Sequence, residues 1–135
     1  MTMTAEEMLQ FVDDLYAATG VGDWEKAASM LTDDFVAIEA DPMPMAGRYE
    51  GRNGLKDLYV KVMAMVDVAA LDRIQTTVGG DYAVAILTMR FADRSLEPAE
   101  LCEVFRFRDG KCCEIKPYYF DPAQFQAACK AKAAT

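Results

Sequence analysis

Apolar residues recur at helical intervals along the first half of the chain and at alternate positions along the second, so it reads as helices followed by strands. Met8, Phe11, Val12 and Leu15 form one stripe after Thr4-Ala5-Glu6-Glu7, whose spacing fits a capping box, and Gly20 supplies a stop. Asp23 can cap a second helix carrying Trp24, Ala27, Ala28 and Leu31. Gly51-Arg52-Asn53-Gly54 leads into a third helix with Leu55, Leu58, Tyr59, Val62 and Val66 on one side. A short extended piece over 35–41 separates the second helix from the third. From residue 70 the period shortens, predicting strands over 70–78, 82–92, 99–108 and 111–120, with turns at Gly79-Gly80-Asp81 and Arg108-Asp109-Gly110. Asp121-Pro122 reads as a cap followed by proline at the first position of a short terminal helix through Phe125 and Ala128. Helices first, then an antiparallel meander, is an α+β layout, with the helices of residues 4–66 covering the concave face of the sheet.

The strand pattern singles out Glu103. Alternation in Leu101-Cys102-Glu103-Val104-Phe105-Arg106-Phe107 puts this carboxyl on the same side as Leu101, Phe105 and Phe107. The next strand has Cys113, Ile115, Pro117 and Tyr119 on one face and Cys112, Glu114, Lys116 and Tyr118 on the other. A two-residue Asp109-Gly110 loop would set Glu114 and Lys116 beside the phenylalanines. A three-residue loop, with Gly110 in a left-handed bulge, aligns the two apolar faces and is the preferred register. Glu103 then lies among apolar groups, where desolvation raises a carboxyl pKa and favours a neutral, proton-donating form. In the alternative, slipped register it pairs with Lys116 as an ordinary ion pair.

Composition narrows the classes. With 135 residues and 53% hydrophobic content, the chain is expected to be a single domain, 1–135, able to bury a core without disulfides or a structural metal. A net charge of −8 argues against nucleic acid and anionic membrane surfaces as partners. Cys102, Cys112, Cys113 and Cys129 show neither a CxxC spacing nor a disulfide framework, and read as reduced thiols. The start Met1-Thr2-Met3-Thr4 lacks the features of a leader, and no run approaches a membrane span; a cytoplasmic location is expected. The chain has no histidine, so acid and base work falls to Asp, Glu, Tyr, Lys or Cys, and no metal site is expected.

Two further carboxylates, Glu39 and Asp41, share the side of Phe35 and Ala37 if strand alternation runs unbroken to Pro42. A close acidic pair raises its own pKa values and can supply a general base; a turn residue before proline is the competing role for Asp41, and a solvated strand position that for Glu39. Met43, Met45, Met63, Met65 and Met89, among nine methionines, suit either an adaptable cavity or a plain core. Tyr16, Tyr49, Tyr59, Tyr118 and Tyr119 are candidate hydroxyl donors, each also suited to a buried ring with its oxygen at the rim, and only Tyr119 has a face assignment that favours a pocket.

The segments Gly22-Asp23-Trp24, Leu31-Thr32-Asp33-Asp34-Phe35, Gly47-Arg48-Tyr49-Glu50-Gly51-Arg52-Asn53-Gly54-Leu55 and Phe107-Arg108-Asp109-Gly110-Lys111, in this order, resemble the NTF2-like superfamily in its SnoaL-like and ketosteroid-isomerase-like branch. The resemblance implies a cone: a curved, mostly antiparallel sheet wrapped around three N-terminal helices, with an apolar pocket inside and a homodimer through the outer sheet face. It implies Asp41 as a catalytic base and Glu103 as a protonated donor to a substrate oxyanion, a role described for the isomerase itself. The isomerase tyrosine position corresponds to Leu15, with Tyr16 one residue away. The function expected is proton movement next to a carbonyl in a small apolar ligand, without a cofactor, in an isomerase or cyclase-type enzyme. Leu15, Tyr16, Glu39, Met45, Tyr59, Met63, Phe105, Ile115 and Tyr119 are the expected pocket residues. A non-catalytic ligand-binding or structural role on the same fold is the alternative.

Overall fold

The computed structural model describes residues 2–135. Thr4 and Glu7 close the capping box expected of them: the Glu7 amide donates to Thr4 Oγ1 at 3.1 Å and the Thr4 amide to Glu7 Oε1 at 2.9 Å. Helix α1 (Ala5–Gly20) follows and buries Met8, Val12, Leu15 and Thr19. Asp23 caps α2 (Trp24–Ser29), and α3 runs Gly54–Met65 with Leu55 and Leu58 buried. Asp121 accepts from the Ala123 amide at the head of α4 (Pro122–Ala133), which buries Phe125 and Ala128.

The strands are β1 (Leu31–Glu39), β2 (Gly47–Glu50), β3 (Val68–Gly79), β4 (Tyr82–Phe91), β5 (Ala99–Arg108) and β6 (Lys111–Tyr119). They form one curved sheet in the order β2-β1-β6-β5-β4-β3, antiparallel throughout except for the parallel pair β1 and β6. The architecture is the expected α+β cone. The extended piece expected over 35–41 is longer at its start and stops at Glu39, and β2 is an additional strand beside it. Gly54 is where α3 meets β2: a Cβ there would stand 2.3 Å from the Tyr49 carbonyl oxygen, so the close approach requires glycine.

The β5–β6 hairpin differs from expectation in its turn but not in its faces. Arg108 pairs with Lys111 around a two-residue loop, with Asp109 and Gly110 both at positive φ (55° and 76°) as a type I′ turn demands. The realignment occurs one step later. Phe107 pairs with Cys112 and Arg106 with Glu114, so Cys113 is the extra residue of a β-bulge. The bulge exchanges the two thiols: Cys112, not Cys113, joins the core opposite Phe107. Beyond it Phe105 faces Ile115, Glu103 faces Pro117 and Leu101 faces Tyr119, which restores the shared apolar face.

Candidate active site

Glu103 is carried by a central strand, flanked across the sheet by Ala85 and Pro117. Both neighbours are compact, and a hollow remains above them. The hollow is a cavity of ≈ 120 Å³ roofed by α3, through Leu55, Leu58, Tyr59, Val62 and Met63, and floored by Val68, Leu71, Met89, Ile115, Pro117 and Tyr119. Two of its lining residues carry carboxyls, Glu39 from β1 and Glu103 from β5. Trp24 packs edge-on against Tyr59 at 5.1 Å and fixes one wall; Phe125 does the same for Tyr119 at 5.6 Å.

Tyr16 reaches Glu103 from α1 and donates its hydroxyl to Oε1. Behind Tyr16, the Arg73 guanidinium lies 5.2 Å from the ring centre and pairs with Asp13 at 2.6 Å. Burial holds the Glu103 carboxyl above its ordinary range, and the Tyr16 hydrogen bond pulls it partly back. Glu39 is only 5% exposed, and its Oε1 has no hydrogen-bond partner. Burial first, and the Glu103 charge second, push Glu39 up to about 8. Burial also raises the phenols of Tyr16, Tyr59 and Tyr119, with the Glu103 charge contributing in each. These tyrosines are donors in the neutral range, not bases.

Two buried carboxyls facing one low-dielectric space cannot easily both ionise, so the pair favours a single shared proton. Glu103 has a phenol donating to it and Glu39 does not. The phenol donor favours the anion on Glu103 and the proton on Glu39. Such an arrangement provides one base and one acid in an apolar enclosure.

Of the residues expected at the site, Glu39, Tyr59, Met63, Glu103, Ile115 and Tyr119 line the cavity, and Tyr16 touches it through Glu103. Leu15, Met45 and Phe105 are packed in the core, at 2%, 0% and 1% exposure, rather than on the cavity wall. Asp41 is exposed, on the turn after β1, where it lines a neighbouring groove with Pro42, Lys116 and Tyr118 that shares Pro117 and Tyr119 with the cavity. Met89, expected in a cavity or a plain core, lines the cavity; Val68 and Leu71 line it as well, and being three residues apart they share a wall through the register shift between Val68 and Ala70, which alternation does not reveal. No Lys or Arg among the described residues lines the cavity. Among the described residues, no group of three or more His, Cys, Asp or Glu is placed to hold a metal ion. No helix among the described residues is long and apolar enough to cross a membrane.

A curved, mostly antiparallel sheet curled around helices is an NTF2-like architecture, and comparison with known proteins agrees. The chain matches the SnoaL-like domain over residues 12–115 and belongs to that family. An NTF2-like protein from Burkholderia xenovorans LB400 is 23% identical, with 95% of this chain and 99% of that one covered and a TM-score of 0.79. TerC, co-crystallised with polyporic acid, is 17% identical over 92% of this chain and 98% of its own, with a TM-score of 0.76. A de novo designed protein with a curved β-sheet is 14% identical over 98% of this chain and 100% of its own, at 0.72. That a designed chain shares the shape makes plain that likeness at this level is likeness of fold. No curated protein matches the chain.

Proposed function

We propose that the protein binds a small, largely apolar, carbonyl-bearing ligand and moves a proton at the carbon next to the carbonyl, with Glu103 as base and Glu39 as acid. The observation that carries this reading is the pairing of these two carboxyls on one apolar cavity, with Tyr16 donating to Glu103. The Glu103 carboxylate takes the proton as the C–H bond breaks. The electron pair moves onto the carbonyl oxygen, which the protonated Glu39 stabilises by donating to it. Return of the proton to a different carbon completes an isomerisation, and no cofactor is needed for such a step. Tyr119 is a second donor on the same wall. Glu39 thus takes the donor role expected of Glu103, and Glu103 the base role expected of Asp41.

The test is deuterium uptake next to the carbonyl in a panel of small cyclic ketones and enones incubated with the protein in D2O. Glu103→Gln should lower the exchange rate by about 10²–10⁴-fold. Equal exchange in the variant, or none with the native chain across the panel, sinks the reading. A non-catalytic binding role is the second reading. It is favoured by the Tyr16 hydroxyl, which is committed to Glu103 instead of being free for a ligand oxygen.

Assembly and location belong to the same proposal. Ile74, Ile86 and Tyr118, at 64%, 40% and 57% exposure, border a groove on the outer sheet face together with Cys102. Such a contiguous apolar surface supports a homodimer formed face to face. Light scattering should return twice the 15.0 kDa chain mass, and a monomer at micromolar concentration would count against it. Four free cysteines support a reducing, cytoplasmic setting, and the charge of −8 supports neither nucleic acid nor membrane as a partner.

A further inference from the structure

We propose that the cavity is a site for a small amine with an apolar body, bound as its ammonium with the nitrogen at the Glu39 and Glu103 carboxyls. The inference rests on the pairing of these carboxyls in the site proposed above and not on turnover. The first observation is the charge balance of the lining, which among the described residues contains two carboxyls and no Lys or Arg. Arg73 lies behind Tyr16 and is committed to Asp13 at 2.6 Å. A positive charge is what the enclosed site lacks. The second observation is independent of the first: Glu39 is only 5% exposed, lines the cavity, and leaves Oε1 without a partner. A buried acceptor of this kind is costly unless a ligand, a water or a proton occupies it. An ammonium supplies up to three donors, enough for Glu39 Oε1 and for Glu103 Oε2, which the Tyr16 bond to Oε1 leaves open.

The walls set the body of the ligand. Leu58, Leu71, Met89 and Ile115 surround the acid pair with aliphatic surface. A volume of ≈ 120 Å³ is close to the roughly 150 Å³ that admits a single benzene-sized ring. A carboxylate on the same ring would meet two carboxyls and no cation, which disfavours it by charge.

Binding is also linked to pH. The groups facing Glu39 are Glu103 on β5, Tyr119 on β6 and Tyr59 on α3, with Tyr16 behind Glu103. The phenols stay neutral, so the proton released when the ammonium arrives is the one the two carboxyls share. Glu39 holds it up to about 8. Amine affinity should therefore climb between pH 6.5 and pH 8, by up to about 10-fold per pH unit, before the amine itself deprotonates.

The experiment titrates cyclohexylmethylamine, cyclohexylmethanol and cyclohexanecarboxylate into the full chain, with methyl NMR of Leu58, Leu71, Met89 and Ile115 as the readout. The expected order is amine, then alcohol, then carboxylate, with the amine at least ~5-fold tighter than the alcohol, as a charged hydrogen bond is against a neutral one. Glu39→Gln should weaken the amine by a similar factor and leave the alcohol unchanged. The rise in amine affinity from pH 6.5 to pH 8 in the native chain is a second readout that needs no variant. An alcohol or carboxylate that binds as tightly as the amine overturns the proposal. So does amine binding that spares the four methyls, because this marks loose association with an acidic surface. If amines fail while Glu103→Gln still abolishes ketone exchange, the amine site falls and the proton-transfer reading stands; the reverse pattern removes catalysis and keeps the site.

Discussion

The two halves of β5 carry the same alternating pattern, yet one end of the cone is filled and the other is hollow. At the filled end Phe107 meets Phe11 edge-on at 5.1 Å, and Phe105 meets Tyr16 at 5.8 Å. Rings from the helix and the sheet interlock there and exclude solvent. Two residues along the same face stands Glu103, with Ala85 and Pro117 as its strand neighbours and aliphatic side chains from α3 above. The Cys113 bulge lies at the filled end, but beyond it the apolar faces of β5 and β6 stay aligned. What differs is side-chain volume: a ring at Phe105 closes the space, and a carboxyl between compact neighbours leaves it open. Tyr16 belongs to both ends, with its ring packed on Phe105 and its hydroxyl on Glu103.

Phe105→Ala is the strongest way to break this comparison. Truncating a ring with 1% exposure should cost about 3–5 kcal/mol by urea unfolding. Leu58→Ala on the cavity roof should cost less, near ~2 kcal/mol, because part of its surroundings is already empty. A larger loss at Leu58 than at Phe105 would show that the hollow end, not the filled one, holds the fold together.

The acid pair sharpens the comparison through pH. Glu39 rises from an ordinary 4.5 to about 8 in the folded chain, so between those values the folded state holds a proton that the unfolded state has released. Stability must then fall as pH increases across that window, by on the order of a few kcal/mol in total, and Glu103, raised in the same direction, adds to the slope. Glu39→Gln should make the decline shallower. Thermal melts from pH 5 to pH 9 check it, and a slope unchanged by the substitution would mean that Glu39 titrates as an exposed carboxyl does.

Much of this was legible in the sequence because strand period and helix stripe are local properties. The face of β5 that carries Leu101, Glu103, Phe105 and Phe107 could be read directly, as could the Thr4 and Asp121 caps. The bulge could not: Cys112 and Cys113 are the same residue type, so nothing in the pattern says which is the extra one. β2 stayed hidden for a related reason, since Gly47–Glu50 is short and exposed at Gly47, Arg48 and Glu50, leaving no buried stripe to detect. Tyr16 flanks the stripe of Met8, Val12 and Leu15, and only the curl of the sheet brings Glu103 under its hydroxyl. The pairing of Glu39 with Glu103 is likewise long-range, set by β6 lying between their strands.

The smallest effect expected is also the one that separates the two acidic positions after Phe35. Alternation places Glu39 and Asp41 on one side, but alternation holds only while the strand continues, and β1 ends at Glu39. Two residues later Asp41 is exposed, beside the neighbouring groove, with the Met43 amide bonded back to the Ala40 carbonyl at 3.0 Å in a turn. Asp41→Asn should therefore change stability by less than about 0.5 kcal/mol, as exposed substitutions do. Ketone exchange and cavity binding should stay at the native level in the same variant. The measurement is the pair of rates for Asp41→Asn and Glu103→Gln under one set of conditions. If Asp41→Asn proves the more damaging of the two, the base lies on the turn and the cavity floor is a binding surface only.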